Sequence, residues 1–178
     1  MTTVAHDLPS DVSAAHDGPN VLSSDDRPSR FPWPPVLLAG SIALALAFDR
    51  WVVPLPVPFA EMSLVKAAGW LLLAQGLGLV AWAIVTFRQH ATSIRPDRAA
   101  SVLLTTGPFT YSRNPIYLGE TLSVFGAGLA FNRLSLVLVM PLFVLAVTRL
   151  AIRGEEAHLA RRFGEAYAHY CDQAGRWL

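Results

Sequence analysis

The chain has 178 residues, enough for one domain, and 53% of them are hydrophobic while only 15% are charged. This balance differs from that of ordinary soluble domains and points first to a membrane protein. Basic residues number 14 against 13 acidic ones, so there is no charge excess typical of nucleic-acid binding, and the single Cys171 excludes an internal disulfide or a cysteine-based zinc cluster.

The first 35 residues are rich in Asp, Ser, Pro and His and lack apolar periodicity, which predicts a disordered tail. A secretory signal would instead begin with basic residues and continue directly into an apolar core. We therefore expect residues 1–35 to stay on the protein as a tail, followed by a membrane domain over residues 36–178.

Four apolar stretches predict an all-α, polytopic membrane protein with about four transmembrane helices. Residues 67–87 carry no charged side chain, and as a helix they reach about 31 Å, which matches a hydrocarbon core of about 30 Å. Only Asn132 and Arg133 separate the last two stretches, so we expect them to form a helical hairpin. The other three predicted spans are residues 36–53, 116–131 and 134–152.

Small residues and a proline mark the second half of the chain. Gly119, Ser123 and Ala127 recur every four residues, which puts small side chains in one row where a neighbouring helix can approach closely. Pro141 predicts a kink in the last span. Kinks and charges at membrane depth are tolerated where they line an enclosed cavity, so we expect this half to carry the function.

Arginines concentrate on one side of the predicted topology. With four spans, the loop over residues 88–113 and the C-terminal segment lie on one side, which holds Arg88, Arg95, Arg98, Arg113, Arg153, Arg161, Arg162 and Arg176. The loops on the other side hold Arg50, Lys66 and Arg133. The positive-inside rule then places both termini in the cytoplasm, and we expect the inner membrane of a bacterium. Beyond the last span, apolar and aromatic residues at helical spacing predict an amphipathic cytosolic C-terminal helix over residues 155–170.

The decapeptide YSRNPIYLGE, residues 111–120, is unusually dense in chemically capable side chains. Asn114 and Pro115 predict a helix start, with asparagine as the cap, and such an end suits an anionic group. Phe109, Tyr111 and Tyr117 are each explained as interfacial aromatics. Together they are also able to stack a base or hold a sulfonium cation.

Charged residues beyond the last span have two interpretations each. Glu155 and Glu156 point about 100° apart on a helix, so we expect that both cannot face one ligand. They serve the helix dipole, or one of them supplies a counter-charge for an amino group. Arg149 and Arg153 snorkel to the interface, or one of them grips an anionic substrate.

Other site types find no support in the sequence. The glycines at 76–78 and 126–128 lie in apolar stretches without a preceding strand, which argues against a dinucleotide fingerprint. The histidines show no ligand spacing with cysteine or carboxylates, so we expect no metal site.

The ordered set TTGPFTYSRNPIYLG, a span pair, EEAHLARRFGEAYAHY and a closing RW resembles integral-membrane methyltransferases. The group is that of the isoprenylcysteine carboxyl methyltransferases and phospholipid N-methyltransferases, and the resemblance runs from Phe87 to Trp177. It implies a helical membrane core that binds S-adenosyl-L-methionine between the last spans and the cytosolic C-terminal segment.

The resemblance also implies individual site residues. The cofactor-binding positions carried over are Ser101, Val102, Leu103, Leu104, Phe109, Asn114, Pro115, Ile116, Tyr117 and Glu155. This chain departs from the pattern at Asn114, where eukaryotic relatives have histidine, and at Ala151, where the family has a substrate-side arginine. Arg149 or Arg153 is the candidate replacement for that arginine.

A methyl transferase of this kind works mainly by aligning reactants and excluding water. A carboxylate acceptor needs no base, whereas an amine or thiol must lose a proton, for which Glu120, Glu155 and Tyr117 are candidates. We expect an amphiphilic acceptor to arrive from the bilayer and the cofactor from the cytosol.

Two other functions stay open. RNPIYLGE also resembles the Arg-x-Pro-x-Tyr-x-Gly-Glu element of NADPH-dependent membrane sterol reductases, although their later Arg-Asp and Lys-Tyr-Gly patterns are missing. Alternatively, the chain is a small membrane scaffold whose charges serve topology alone.

Overall fold

The computed structural model describes residues 33–52, 56–58, 62–91 and 103–178. Helices fill most of this part, and the described residues contain no strand, which confirms the all-α expectation. The α-helices are α1 (Trp33–Trp51), α2 (Ser63–Ala91), α3 (Pro115–Ala130), α4 (Leu134–Val147), α5 (Arg153–Phe163) and α6 (Glu165–Gln173). A 3₁₀ turn spans Gly107–Thr110, and a π-helical turn spans Thr148–Ile152.

The first helix begins earlier than predicted. Most of the expected tail, like Ser101 and Val102, lies outside the described residues, but α1 starts at Trp33 rather than at residue 36. Pro34 and Pro35 fall in its first turn, where the missing amide hydrogens cost no helical bond. Prolines that the sequence assigned to the tail are therefore part of the helix.

Helices α2 and α3 make the most extensive contact in the fold because their backbones nearly touch. A Cβ added to Gly76 would lie 2.6 Å from the carbonyl oxygen of Gly119 and 2.5 Å from the amide nitrogen of Ser123. Further along α3, Gly126 takes the next close position, where an added Cβ would lie 2.5 Å from the amide nitrogen of Leu73. The predicted small-residue row thus packs on α2, with Gly126 in the place expected for Ala127.

The second pair is α1 against α4, and it holds the apolar core. Phe143, Val147 and Ile152 are completely buried there, together with Ala45 of α1. At the far end of this pair, Arg133 Nη1 donates to the buried carboxylate of Asp49 at 3.3 Å. These two contacts fix the position of the last long helix relative to the rest.

The tight connection between α3 and α4 agrees with the expected hairpin. Asn132 takes the left-handed conformation, with φ of 56°, which asparagine tolerates better than most residues. Its Oδ1 accepts a hydrogen bond of 2.7 Å from the amide of Val57. The hairpin turn is therefore attached to the segment before α2.

The C-terminal helix differs from the prediction of one separate helix over residues 155–170. The π-helical turn passes directly into α5, and the helix continues through Pro141 further upstream. Gly164, with φ of 51°, then breaks α5 from α6. The break is needed because α6 turns back to pack Tyr167 and Tyr170 against Leu103 and Leu159.

Within the described residues, two helices are long and apolar enough to cross a membrane, Ser63–His90 and Leu134–Phe163. Large apolar side chains such as Leu71, Leu77, Leu138 and Leu142 stay exposed along them. Such a surface suits contact with lipid. The four predicted spans remain a prediction for α1 and α3.

Candidate functional site

A cavity of about 140 Å³ lies where the ends of several elements meet. Phe87 at the end of α2, the 3₁₀ turn, the start of α3, α5 and α6 each contribute a wall. The lining residues are Phe87, Leu103, Leu104, Phe109, Arg113, Asn114, Ile152, Glu155, Glu156, Leu159, Tyr167 and Tyr170. Chain segments far apart in sequence therefore share one cavity, lined by apolar and charged side chains, at the end of an apolar helical core.

The 3₁₀ turn is docked on α2 through a glycine. Gly107 has φ of 62°, and a Cβ there would lie 3.0 Å from Thr86 Oγ1. A larger residue would be strained in this conformation as well as crowded. The turn then presents Phe109 to the cavity, and the carbonyl oxygen of Phe109 accepts a 2.7 Å hydrogen bond from the Tyr170 hydroxyl.

The start of α3 is held by the C-terminal segment of the chain. The amide of Arg113 donates to the carbonyl of Gly175 at 2.9 Å, within a parallel bridge between Ser112 and Gly175. Asn114 occupies the N-cap position, but its side chain makes no capping bond. The predicted helix start is therefore confirmed in position, but the Asn114 Nδ2 donates to the carbonyl of Arg176 at 3.0 Å.

The acidic pair is divided in its partners. Glu156 accepts two hydrogen bonds from Arg176, 2.8 Å from Nε and 2.7 Å from Nη2. Glu155 also lines the cavity, but across the described part of the chain it makes no ion pair. Both acids line the same cavity, but only Glu155 offers an uncommitted carboxylate among the described residues, and the expectation that they cannot both face one ligand stays a prediction.

Arg113 is the basic side chain of the cavity wall. Its Nη1 donates to Cys171 Sγ at 2.7 Å and lies 3.5 Å from Glu156 Oε1. Its Nε is buried and has no hydrogen-bond partner among the described residues. A buried donor of this kind costs free energy unless a guest satisfies it.

Two tyrosines of α6 close the cavity on one side. The rings of Tyr167 and Tyr170 meet edge to face, with centroids 6.3 Å apart. Burial raises the pKa of each hydroxyl to about 12. Both side chains therefore remain neutral at physiological pH and present apolar ring surface with a hydroxyl donor.

The cavity collects about half of the predicted cofactor residues. Leu103, Leu104, Phe109, Asn114 and Glu155 line it. Pro115, Ile116 and Tyr117 lie in the first turn of α3 beside it, outside the lining. The Tyr117 hydroxyl is close enough to both Glu155 and Glu120 to feel their charges.

The predicted catalytic residues lie outside the lining. Arg149 and Arg153 are exposed on the π-helical turn and at the start of α5. Glu120 is half-buried one turn beyond Tyr117, and its Oε2 is buried with no partner among the described residues. None of the three reaches the cavity itself, and Glu120 is the one that shares an electrostatic neighbour with it.

Sequence reasoning did not select several residues of the site. Tyr167, Tyr170 and Leu159 were visible only as the apolar face of an amphipathic helix. Arg113 was assigned to topology, and Arg176 was part of a closing motif without a role. The sequence showed that Arg113 lies in the decapeptide and Arg176 in the closing RW. It did not show that these two segments are in contact.

A known protein family matches much of this chain. None of the curated proteins gives a significant match to the chain. A family model described as phospholipid methyltransferase matches residues 64–166, from the first turn of α2 into α6. This match covers more than half of the chain and includes most of the cavity wall, and together with the two apolar helices it indicates a membrane protein. The chain belongs to the phospholipid methyltransferase family.

Proposed function

We propose that the protein transfers a methyl group from S-adenosyl-L-methionine to a membrane-associated or amphiphilic acceptor. The observation that supports this most is the single cavity shared by Asn114 at the start of α3 and Glu155 beyond the last span. Had these regions lain apart, no common guest could touch both. The family membership supports methyl transfer in a membrane setting.

The groups around the cavity fit the polar end of such a cofactor. Glu155 offers a free carboxylate for an amino group, and Phe109 and Tyr167 offer ring surface for a base or a sulfonium. The volume of about 140 Å³ is smaller than the about 300–1,000 Å³ of typical small-molecule sites. We therefore place the amino-acid end inside, with the remainder extending out of the open side.

S-adenosyl-L-methionine supplies a methyl group on a good leaving group, so the protein needs mainly to align and desolvate the reactants. Glu155 anchors the amino group. Tyr117 feels the charges of both Glu155 and Glu120, which places the acceptor side of the site toward Glu120 in this proposal. The unpaired Oε2 of Glu120 accepts the proton when the acceptor is an amine or a thiol, whereas a carboxylate acceptor needs no base.

Access to the site follows from the proposed topology of four spans with cytoplasmic termini in a bacterial inner membrane. The cofactor enters the cavity from the cytosol, and the acceptor reaches the α3 side from the bilayer. Arg149 and Arg153, exposed near the cytosolic end of the last long helix, are candidates for contact with an anionic acceptor group. This division of access explains why a methyltransferase is built into a membrane.

Binding of S-adenosyl-L-methionine to the detergent-purified protein, measured by titration calorimetry beside NADPH, tests the proposal. We expect Glu155→Gln to lower the affinity for S-adenosyl-L-methionine by about 10- to 100-fold, because a charge-assisted hydrogen bond is lost. Glu165→Gln, an exposed acid at the start of α6, is the matched control and should bind as the wild type does. Binding of NADPH alone would favour the alternative function as a sterol-type reductase. Binding of neither molecule would favour the alternative role as a membrane scaffold.

The acceptor class is a separate measurement. The purified protein is incubated with isotopically labelled S-adenosyl-L-methionine and a lipid extract or small thiols, and mass spectrometry locates the label. Glu120→Gln should suppress transfer to amines and thiols while leaving cofactor affinity unchanged. Equal transfer by Glu120→Gln and the wild type would remove Glu120 from the mechanism.

A further inference from the structure

Arg113 lines the cavity with a guanidinium whose donors are only partly used. Its side chain is mostly buried, with 16% of its surface exposed. Nη1 has two neighbours, Cys171 Sγ and Glu156 Oε1, whereas Nε is buried without a partner among the described residues. Arg113 lines the cavity, and a planar guanidinium suits a carboxylate, so its position points to an anionic guest.

The Glu156 carboxylate is held closely by Arg176 and more loosely by Arg113. Arg176 forms a two-pronged pair with Glu156 at 2.8 and 2.7 Å, the strong geometry for these groups. The contact from Arg113 to the same carboxylate is longer, at 3.5 Å. Arg176 is itself fixed by the backbone, since its carbonyl accepts from Asn114 Nδ2 and the preceding Gly175 accepts from the Arg113 amide.

The charges around the cavity then match a zwitterion. Two guanidiniums, Arg113 and Arg176, pair with the single carboxylate of Glu156, which leaves one positive charge in excess, and Glu155 adds an uncommitted carboxylate to the same cavity. A guest with an ammonium and a carboxylate on one carbon would pair with both. A guest with only the ammonium would leave the buried Arg113 Nε unsatisfied.

We infer that Arg113 binds the α-carboxylate of the methyl donor, and that Arg176 is a positioning residue that keeps Glu156 from competing for Arg113. The inference rests on the proposed function and names two residues that set the cofactor specificity of the same cavity. Glu155 binds the ammonium and Arg113 binds the carboxylate at the amino-acid end of the donor.

The test compares two donors that differ in one group, S-adenosyl-L-methionine and its decarboxylated form, which keeps the ammonium and the sulfonium. Their dissociation constants are measured by calorimetry on the full-length protein in detergent. We expect the wild type to prefer the carboxylate-bearing donor by about 10- to 100-fold. Arg113→Gln should lose most of this preference, mainly because its affinity for S-adenosyl-L-methionine falls. Arg162 is an exposed arginine on α5, and Arg162→Gln should keep the preference.

Arg176 is tested by a variant and its rescue. In Arg176→Gln, Glu156 is free to pair with Arg113, so the preference for the carboxylate should fall about 10-fold. Adding Glu156→Gln removes the competitor and should restore the preference. If the Arg176–Glu156 pair is merely structural, both donors should bind more weakly by the same factor, and the second substitution should not restore the preference.

The possible outcomes separate this inference from the proposed function. Equal affinity of the wild type for both donors overturns the role of Arg113 and leaves the proposed function intact. Binding of neither donor overturns both. Should Arg113→Gln fail to fold, the selectivity of the Arg176→Gln and rescued proteins still decides the matter, because Arg113 is unchanged in them.

Discussion

At the scale of residues, the site depends on side chains whose partners lie in distant parts of the chain. Asn114 donates to Arg176, Arg113 to Cys171, and Tyr170 to Phe109. Each of these bonds joins the TYSRNP segment or the 3₁₀ turn to the last residues of the protein. The shape of the cavity therefore depends on these three hydrogen bonds.

The bond from Tyr170 to Phe109 should be measurable in the stability of the detergent-solubilised protein. Tyr170→Phe removes a hydroxyl donor and leaves a partly buried carbonyl unpaired, so we expect a loss of about 1 kcal/mol in the free energy of unfolding. Tyr111→Phe, at an exposed tyrosine with 70% of its surface accessible, is the matched control. Equal losses in the two variants would show that the Tyr170 bond contributes nothing.

The same variant has a defined pH dependence. Burial raises the Tyr170 pKa from 10.0 to about 12, so the unfolded chain loses this proton at a lower pH than the folded protein. The wild type accordingly loses stability as the pH rises from about 10 to about 12. Tyr170→Phe lacks this loss, so the gap between the two should be constant from pH 6 to 9 and narrow above 10. A gap that widens in alkali would contradict the sign.

At the scale of elements, glycines decide how closely the helices pack. Gly69 and Gly76 of α2 face Gly119, Ser123 and Gly126 of α3 at backbone contact. In a lipid environment, where burial of apolar surface adds little between helices, such close approach is a main source of association. The start of α3, which carries Asn114 to the cavity, is positioned by this contact.

A pair of alanine substitutions tests this packing. Gly76→Ala places a Cβ within 2.6 Å of the Gly119 carbonyl, and such overpacking costs about 1–3 kcal/mol. Gly78→Ala has no atom within 4 Å and should be neutral or stabilising, since alanine is favoured over glycine in helices. Thermal unfolding in detergent compares the two, and equal melting temperatures would argue against the α2–α3 contact.

At the scale of the whole molecule, the last four residues act as a strap across the site. Gly175 pairs with Ser112, Arg176 holds Glu156 and Asn114, and Trp177 packs against the membrane core. These contacts connect the start of α3 with α5 through residues at the very end of the chain. The strap therefore couples the order of the C-terminus to the shape of the cavity.

Removing this strap should uncouple binding from folding. Deletion of residues 175–178 leaves every described helix intact in sequence, so we expect unchanged helical circular dichroism and at least a 10-fold loss of S-adenosyl-L-methionine affinity. Deletion of residues 1–32 is the control and should leave affinity unchanged. Wild-type affinity in the C-terminal deletion would mean that the strap plays no part in the cavity.

Local patterns in the sequence determined the helical class, the hairpin at Asn132 and the small-residue row at Gly119 and Ser123. Apolar runs and residue spacing express these features directly, because they depend on neighbours a few positions apart. The resemblance to membrane methyltransferases likewise gave Phe109, Asn114 and Glu155 as site residues.

Only the tertiary structure decided which polar groups are free. The sequence predicted Asn114 as the helix cap and, through the family resemblance, Glu155 as the cofactor-binding acid, but it gave no partner for either side chain. In the fold, the C-terminal strap captures the Asn114 amide and Arg176 engages Glu156, whereas Glu155 has no ion-pair partner among the described residues. These choices depend on contacts between residues 62 and 20 positions apart, and no local periodicity encodes which of several possible partners a side chain meets.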